Sequence, residues 1–323
     1  MAREIIFLRI IFSIVFSCIL SIIFTKRIIK KGSNRQIERN YIEAHKLKEG
    51  TVSGGGKGFY FATLIGFAIS SLFMKYDYKI MALLFVTLLF FLIGLIDDYS
   101  KNKMGSYKGL SAKLRIIIEI TVFIYFIIIL KNTALDLTYL HLPIFNININ
   151  IRYVYLLLLA LVLIGSGNAI NLTDGLDGLA SGLTMIALSP FILLAIVSRE
   201  YLIAIYLSSL VGALMGFLYF NFPPAKVFMG DCGSLFLGSV LGSVAIILRS
   251  EVILFITGLI FVMEAISVII QVISFKTFKR RVFFMTPLHH HFEKKGVDEV
   301  RVVMGFYIIG VFLSVVGLII EAL

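Results

Sequence analysis

The residues of this 323-residue chain best suited to chemistry are aspartates, and five of its eight fall in three short stretches. These are "GLIDDYSKNKMGSYKGL" with Asp97 and Asp98, "NLTDGLDGL" with Asp174 and Asp177, and "VFMGDCGSL" with Asp231. Adjacent carboxylates repel, which raises one pKa or recruits a cation, and either a divalent metal or a lysine such as Lys101 relieves the repulsion. The small neighbours of Asp231 let a carboxylate meet a bulky phosphate or a metal. In "NAINLTDGLDGLASG" a ladder of Asn168, Asn171, Asp174 and Asp177 climbs in steps of three. Each step turns an α-helix by about 300°, so adjacent rungs share a face while all four drift by about half a turn. An unbroken helix would not aim them at one point, and Gly175 and Gly178 permit a bend. The expectation is a loop entering a helix whose first turn carries amides and carboxylates toward a polar ligand. An ordinary N-cap needs one such residue, and this stretch has four.

Three of the five histidines stand together in "TPLHHHFEKKG". Consecutive helical residues point about 100° apart, so three in a row make a poor metal cage. After Pro287 a loop is expected, with His289 and His290 hydrogen-bonding a ligand and His291 a buried structural residue. "KLKEGTVSGGGKG" lacks the spacing of a P-loop. Gly54, Gly55 and Gly56, with Thr51 and Ser53, could wrap a phosphate through backbone amides, but spacing alone favours a flexible linker. Glu119 and Glu264 lie inside apolar runs. In "FVMEAISVIIQ", Glu264 shares a helical face with Ser267 and Gln271, as interhelical glue or part of a lipid-substrate groove.

The elements that position these groups are apolar. Hydrophobic residues make up 59% of the chain, charged ones 15%, and the mean hydropathy is +0.98. Such a composition excludes a soluble globular domain and predicts an all-α polytopic membrane protein, one integral-membrane domain over residues 1–323. About ten spans of roughly 20 residues are readable, near 4–24, 58–74, 79–96, 114–130, 153–170, 179–197, 202–220, 233–249, 252–274 and 302–321. The alternation in "FNININIRY" predicts a small β-hairpin on the outer face. The loops after odd-numbered spans hold 22 of the 30 lysines and arginines, which places them in the cytoplasm and both termini outside. All three aspartate stretches then lie at cytoplasmic ends of spans, although the orientation used basic residues alone. The net charge of +11 also falls on that side, orienting the protein, attracting anionic lipid and suiting an anionic substrate. Cys18 and Cys232 sit at unrelated positions and argue against a disulfide framework.

Taken in order from about residue 45 to 305, "DDYSK…KGL", "NAINLTDGLDGLA", "VFMGDCGSL", "FVMEAISVIIQ" and "PLHHHFE" resemble the phospho-N-acetylmuramoyl-pentapeptide transferase family, within the polyprenyl-phosphate N-acetylhexosamine-1-phosphate transferases. The histidine block resembles the muramoyl-pentapeptide branch rather than the GlcNAc-1-phosphate branch. Two departures stand out. "TVSGGG" replaces a Thr-Pro-Thr-Met-Gly-Gly stretch, and Arg115 closes "GLSAKLR" where a lysine is expected, with Lys113 close by. The resemblance implies ten membrane helices, a cytoplasmic cleft, Mg²⁺ dependence and a homodimer in the bacterial plasma membrane. It implies transfer of phospho-MurNAc-pentapeptide from UDP-MurNAc-pentapeptide to undecaprenyl phosphate, giving lipid I and UMP. It further implies catalytic roles for Asp97, Asp98, Asp231 and His289, with Asp231 the metal ligand. Substrate would be bound by Lys48, Thr51, Lys101, Lys113, Arg115, Asn168, Asn171, Asp174, Asp177, His290 and His291. One competing reading keeps the chemistry and takes UDP-GlcNAc. Another, a carboxylate-based cation transporter, predicts acids near mid-membrane and paired broken helices; here the aspartates cluster at one face.

Overall fold

The computed structural model describes residues 2–32, 48, 50–104, 109–145 and 147–322. Its helices are α1 Ala2–Lys31, α2 Gly56–Ser70, α3 Tyr78–Met104, α4 Ala112–Leu130, α5 Tyr153–Thr173, α6 Leu179–Val197, α7 Tyr201–Asn221, α8 Asp231–Leu248, α9 Glu251–Thr257, α10 Leu259–Phe278, α11 Leu288–Lys294 and α12 Glu299–Ala322. The predicted hairpin is present as β1 Tyr139–Leu142 and β2 Ile147–Asn150, antiparallel, with Tyr139 opposite Asn150 and Leu142 opposite Ile147. It joins the ends of α4 and α5 remote from Arg115 and Asn168. Arg249 ties it down by donating to the Asp136 and Tyr139 carbonyls.

Among the described residues eight helices are long and apolar enough to cross a membrane: α1, α3, α5, α6, α7, α8, α10 and α12. Two of the ten runs read from the sequence fall outside that set. The first, α2, has only 15 residues. The second, α4, carries Lys113, Arg115 and Glu119 near its start. The run 252–274 also differs from expectation, because it is divided at Gly258 into α9 and α10. A Cβ at Gly258 would meet the Leu254 carbonyl oxygen at 2.8 Å, so the tight break suits glycine. Large apolar side chains such as Leu8, Ile117, Leu157, Ile308 and Phe312 cover the outside, as a lipid-facing surface requires.

The centre of the bundle is α8, almost wholly buried and packed against α3 and α5. Lipid gives helices no hydrophobic reason to associate, so close packing of small residues does the work. A Cβ on Gly238 would lie 2.5 Å from the Gly167 Cα of α5. One on Gly94 of α3 would lie 2.3 Å from the Asp231 carbonyl oxygen at the start of α8. This second contact matters for chemistry, because Asp97 and Asp98 follow one turn after Gly94.

Candidate functional site

Where α3 meets α8 the two aspartate stretches become one structure. The Asp231 and Cys232 N–H groups donate to Asp98 Oδ1 and Oδ2 at 2.9 and 3.1 Å. Asp98 thus satisfies two of the amides that a helix start leaves without partners, and its charge suits the positive end of α8. Gly230 lets it approach: its φ is +74°, and a Cβ there would lie 2.8 Å from Asp98 Oδ2. Asp97 points elsewhere. The Leu110 N–H donates to its Oδ1 at 2.5 Å, and Lys101 Nζ lies 2.7 Å from its Oδ2. The same Lys101 Nζ reaches Asp231 Oδ2 at 2.8 Å, so one ammonium bridges two carboxylates.

The ladder meets this cluster from α5, and its form differs from the expected loop-then-helix. Asn168 and Asn171 occupy the last turns of α5, Asp174 is its C-terminal cap, and Asp177 lies in the connection before α6. The helix persists past Gly165 and Gly167 because both glycines sit within an apolar bundle, where open backbone groups are costly. Gly178, at φ +77°, then turns the chain into α6. Arg115 donates to Asn168 Oδ1 at 2.9 Å, and one guanidinium nitrogen lies 3.9 Å from Asp231 Oδ2. With the Asn171 amide oxygen turned to the guanidinium, it accepts from Arg115 at 3.1 and 3.2 Å. Asp174 sits beside this set. Burial, then the carboxylates of Asp231, Asp98 and Asp177, push its pKa up to about 8.

Asp177 forms a clasp. Its Oδ1 accepts from Lys48 Nζ at 2.8 Å, its Oδ2 from the Ala225 N–H at 2.8 Å, and its own N–H donates to Glu299 at 2.8 Å. Lys48 also reaches Glu299 at 2.6 Å. Burial disfavours the Lys48 charge, but the two carboxylates outweigh it and raise the lysine's pKa. Thr51 is half-buried, its N–H donating to the Lys48 carbonyl. The glycine run is neither linker nor open phosphate cradle: the Gly55 and Gly56 N–H groups donate to the Phe228 and Met229 carbonyls at 2.9 Å. Gly56 thereby packs on Gly233 in the first turn of α8.

The histidines form a short helix, α11, rather than a loop, and the buried one is His289, not His291. Pro287 suits a helix start because it brings no N–H that would lack a partner. Glu264 of α10 accepts from the His289 N–H at 3.2 Å and faces its Nδ1 at 3.2 Å. The other face of the ring meets Gly175, where a Cβ would lie 2.3 Å from Nε2. His289 therefore touches the ladder. His290 pairs with Glu293, and His291 accepts from the Phe284 N–H and stacks on that ring. Gln271 pins the intervening loop through the Val282 and Phe283 amides and the Phe283 carbonyl.

The structure so brings together Asp97, Asp98, Lys101, Arg115, Asn168, Asn171, Asp174 and Asp231, with Lys48, Asp177 and His289 at the margin. Lys113 is exposed on α4, apart from them. Glu119 and Glu299 are the residues that sequence reasoning did not assign. The only signal for the first was a carboxylate inside an apolar run. Among the described residues no three or more His, Cys, Asp or Glu side chains are arranged to hold a metal unaided. The donor set is instead Asp231 beside Asp97 with a cation between them. That fits a small hard ion bound by one or two carboxylates and completed by substrate phosphates. A cavity of about 640 Å³ on the other flank of α3, lined by Lys57, Ile96, Tyr99 and Lys103 among others, contains none of these residues.

Apolar helices that gather carboxylates, amides, a lysine and an arginine at one end define a multi-pass membrane protein with a polar, charged cluster where its helices end. The model of the family described as Glycosyl transferase family 4 matches residues 80–249. The chain is 41% identical over 303 residues to the phospho-N-acetylmuramoyl-pentapeptide-transferase of Bacillus cytotoxicus, covering 94% of this chain and 93% of that protein. It is 39% identical over 326 residues to the protein of the same name from Halalkalibacterium halodurans, covering 99% of each. It therefore belongs to the phospho-N-acetylmuramoyl-pentapeptide-transferase family, within glycosyl transferase family 4.

Proposed function

We propose that the chain transfers phospho-MurNAc-pentapeptide from UDP-MurNAc-pentapeptide to undecaprenyl phosphate, giving lipid I and UMP, as a step of peptidoglycan biosynthesis. A prenyl phosphate oxygen bonds to the sugar-bearing phosphorus, and the P–O bond to UMP breaks. The observation that carries this reading is the convergence of Asp97, Lys101, Arg115, Asn168, Asn171, Asp174 and Asp231 at one end of the bundle in a chain so similar to the named transferases. Asp231 is the residue that would hold Mg²⁺, which when bound neutralises the donor's diphosphate. Lys101 and Arg115 attract the anionic donor and hold its phosphates. Asn168, Asn171 and Asp174 orient nucleotide and sugar. Asp97, free of the helix-capping duty that occupies Asp98, receives the acceptor's proton or positions its phosphate. His289 and the clasp of Lys48, Asp177 and Glu299 shape the margin.

The same reading puts the site at the cytoplasmic face, supported by the lysines and arginines concentrated in the loops at that end. It takes α2 and α4 as membrane spans, giving ten with both termini outside, in one integral-membrane domain that pairs as a homodimer. Donor choice by the purified protein with undecaprenyl phosphate and Mg²⁺ is the test. UMP should be released from UDP-MurNAc-pentapeptide and scarcely from UDP-GlcNAc. Preference for UDP-GlcNAc would move the chain to the sister activity. Release from neither, with ion flux in vesicles, would favour transport.

A further inference from the structure

We propose that Glu119 is a positioning residue for the transfer, holding Arg115 in the one orientation that meets the donor. The inference rests on the function just proposed. Glu119 is fully buried in α4, one turn below Arg115. Its Oε1 accepts from Arg115 Nε at 3.1 Å, and its Oε2 accepts from Asn168 Nδ2 at 3.0 Å. Arg115 donates in turn to Asn168 Oδ1 at 2.9 Å, closing a three-residue ring between α4 and α5. The second Asn168 amide hydrogen is taken by the Ile164 carbonyl at 2.9 Å, so the amide cannot rotate without losing partners. The ring fixes the guanidinium plane and turns its far edge to Asn171 and Asp231.

Helix position and guanidinium geometry set this ring apart from mere packing. Arg115 lies in the first turn of α4, where the positive helix end disfavours a cation. A carboxylate one turn away offsets that penalty and keeps the charge where a phosphate would arrive. Further, its contact with Asp231, at 3.9 Å, is too long for a hydrogen bond, so the Nη1 hydrogen not given to Asn171 is available to a better acceptor. A planar fork holds Glu119 and two asparagines in one fixed plane, a geometry that a lysine's rotatable ammonium does not impose. The departure from lysine at this position and the buried glutamate below it are thus one device. An ionisable side chain within a membrane helix calls for such a partner.

The test is a double-mutant cycle on the purified enzyme, reading UMP release across donor and acceptor concentrations. Glu119→Gln keeps one oxygen for Arg115 but sets an amide hydrogen against Asn168, which breaks the ring. The expected result is a donor KM raised about tenfold, with kcat and acceptor KM within about twofold. Arg115→Ala should raise donor KM at least as much, and the double variant no further. Multiplicative effects in the double variant, or unchanged kinetics in Glu119→Gln, would overturn the proposal. Should Glu119→Gln fail to fold, Glu119→Asp retains the charge but reaches only one partner; a shift in its donor KM supports positioning, and wild-type kinetics refutes it. Failure of both variants to fold would make Glu119 structural and also refute it. Absence of UMP release by the wild type would fault the underlying function instead.

Discussion

Asp97 and Asp98 are adjacent in sequence, and the structure predicts that their amide variants fail differently. Asp98 accepts two N–H groups at the start of α8, whereas Asp97 faces Leu110 and Lys101. In Asp98→Asn one oxygen remains, and the new NH₂ is turned to a second backbone N–H. A buried donor left unsatisfied costs about 1–3 kcal/mol, and hydrogen bonds to a charged acceptor contribute roughly 1.5–3 kcal/mol. At about 2–4 °C per kcal/mol, the melting temperature should fall by roughly 3–12 °C. In Asp97→Asn the amide oxygen still accepts from Leu110, and Lys101 keeps Asp231, so the melting temperature should stay within about 2 °C while kcat drops by about 10²–10⁴. The chain has no tryptophan, but the Cys232 thiol is buried beside Asp98 and provides a reporter. A thiol-reactive dye should label it faster and melt the protein earlier in Asp98→Asn only. Equal melting temperatures for the two variants, or faster Cys232 labelling in Asp97→Asn, would refute the division of labour.

Three further outcomes follow from the site. Asp174 has a folded pKa near 8 against a usual carboxyl value near 4; the folded protein therefore holds the proton more tightly, and stability falls as pH rises between those values. Melting temperature of the metal-free protein should decline from pH 6 to 8 more steeply than that of Asp174→Asn, by at most about 1.4 kcal/mol per pH unit. Gly175→Ala places a methyl 2.3 Å from His289 Nε2, and the buried ring has Glu264 behind it. Turnover should fall about 10²-fold, the scale of an ångström's misplacement, and wild-type rates would detach His289 from the site. Asp231→Asn should nearly abolish turnover, and the trace activity left should respond only weakly over a Mg²⁺ series; wild-type rates with an unchanged Mg²⁺ response would move the metal to another carboxylate.

Much of this was legible in the sequence because a bilayer imposes simple rules. Apolar runs had to be helices, and carboxylates at their ends had to be satisfied or functional. The strand alternation at 147–150 was equally plain. What local pattern could not show is pairing across long separations. Asp177 looked like a rung of a ligand ladder until Lys48, 129 residues away, and Glu299 closed on it. The glycine run at 54–56 looked like linker because its partners, the Phe228 and Met229 carbonyls, lie far along the chain. Among the histidines the buried residue lies two positions earlier than expected: a helix starting at Leu288 turns His289, not His291, toward Glu264.

The adjacent aspartates show why the site needs a particular helix contact and not only the right residues. Successive side chains on a helix point about 100° apart, so Asp97 and Asp98 cannot serve the same partner. With α8 drawn against Gly94, the second carboxylate reaches the α8 amides and the first is left facing Lys101. Any side chain at residue 94 would push the Asp231 backbone away and undo both arrangements together. The capping bond and the close contact thus hold Asp231 from two directions, and Lys101 and Arg115 approach it from the remaining sides. A carboxylate so fixed would lose little freedom on binding the cation and phosphate proposed for it, which is what a site built on rigid helix ends offers over one built on loops.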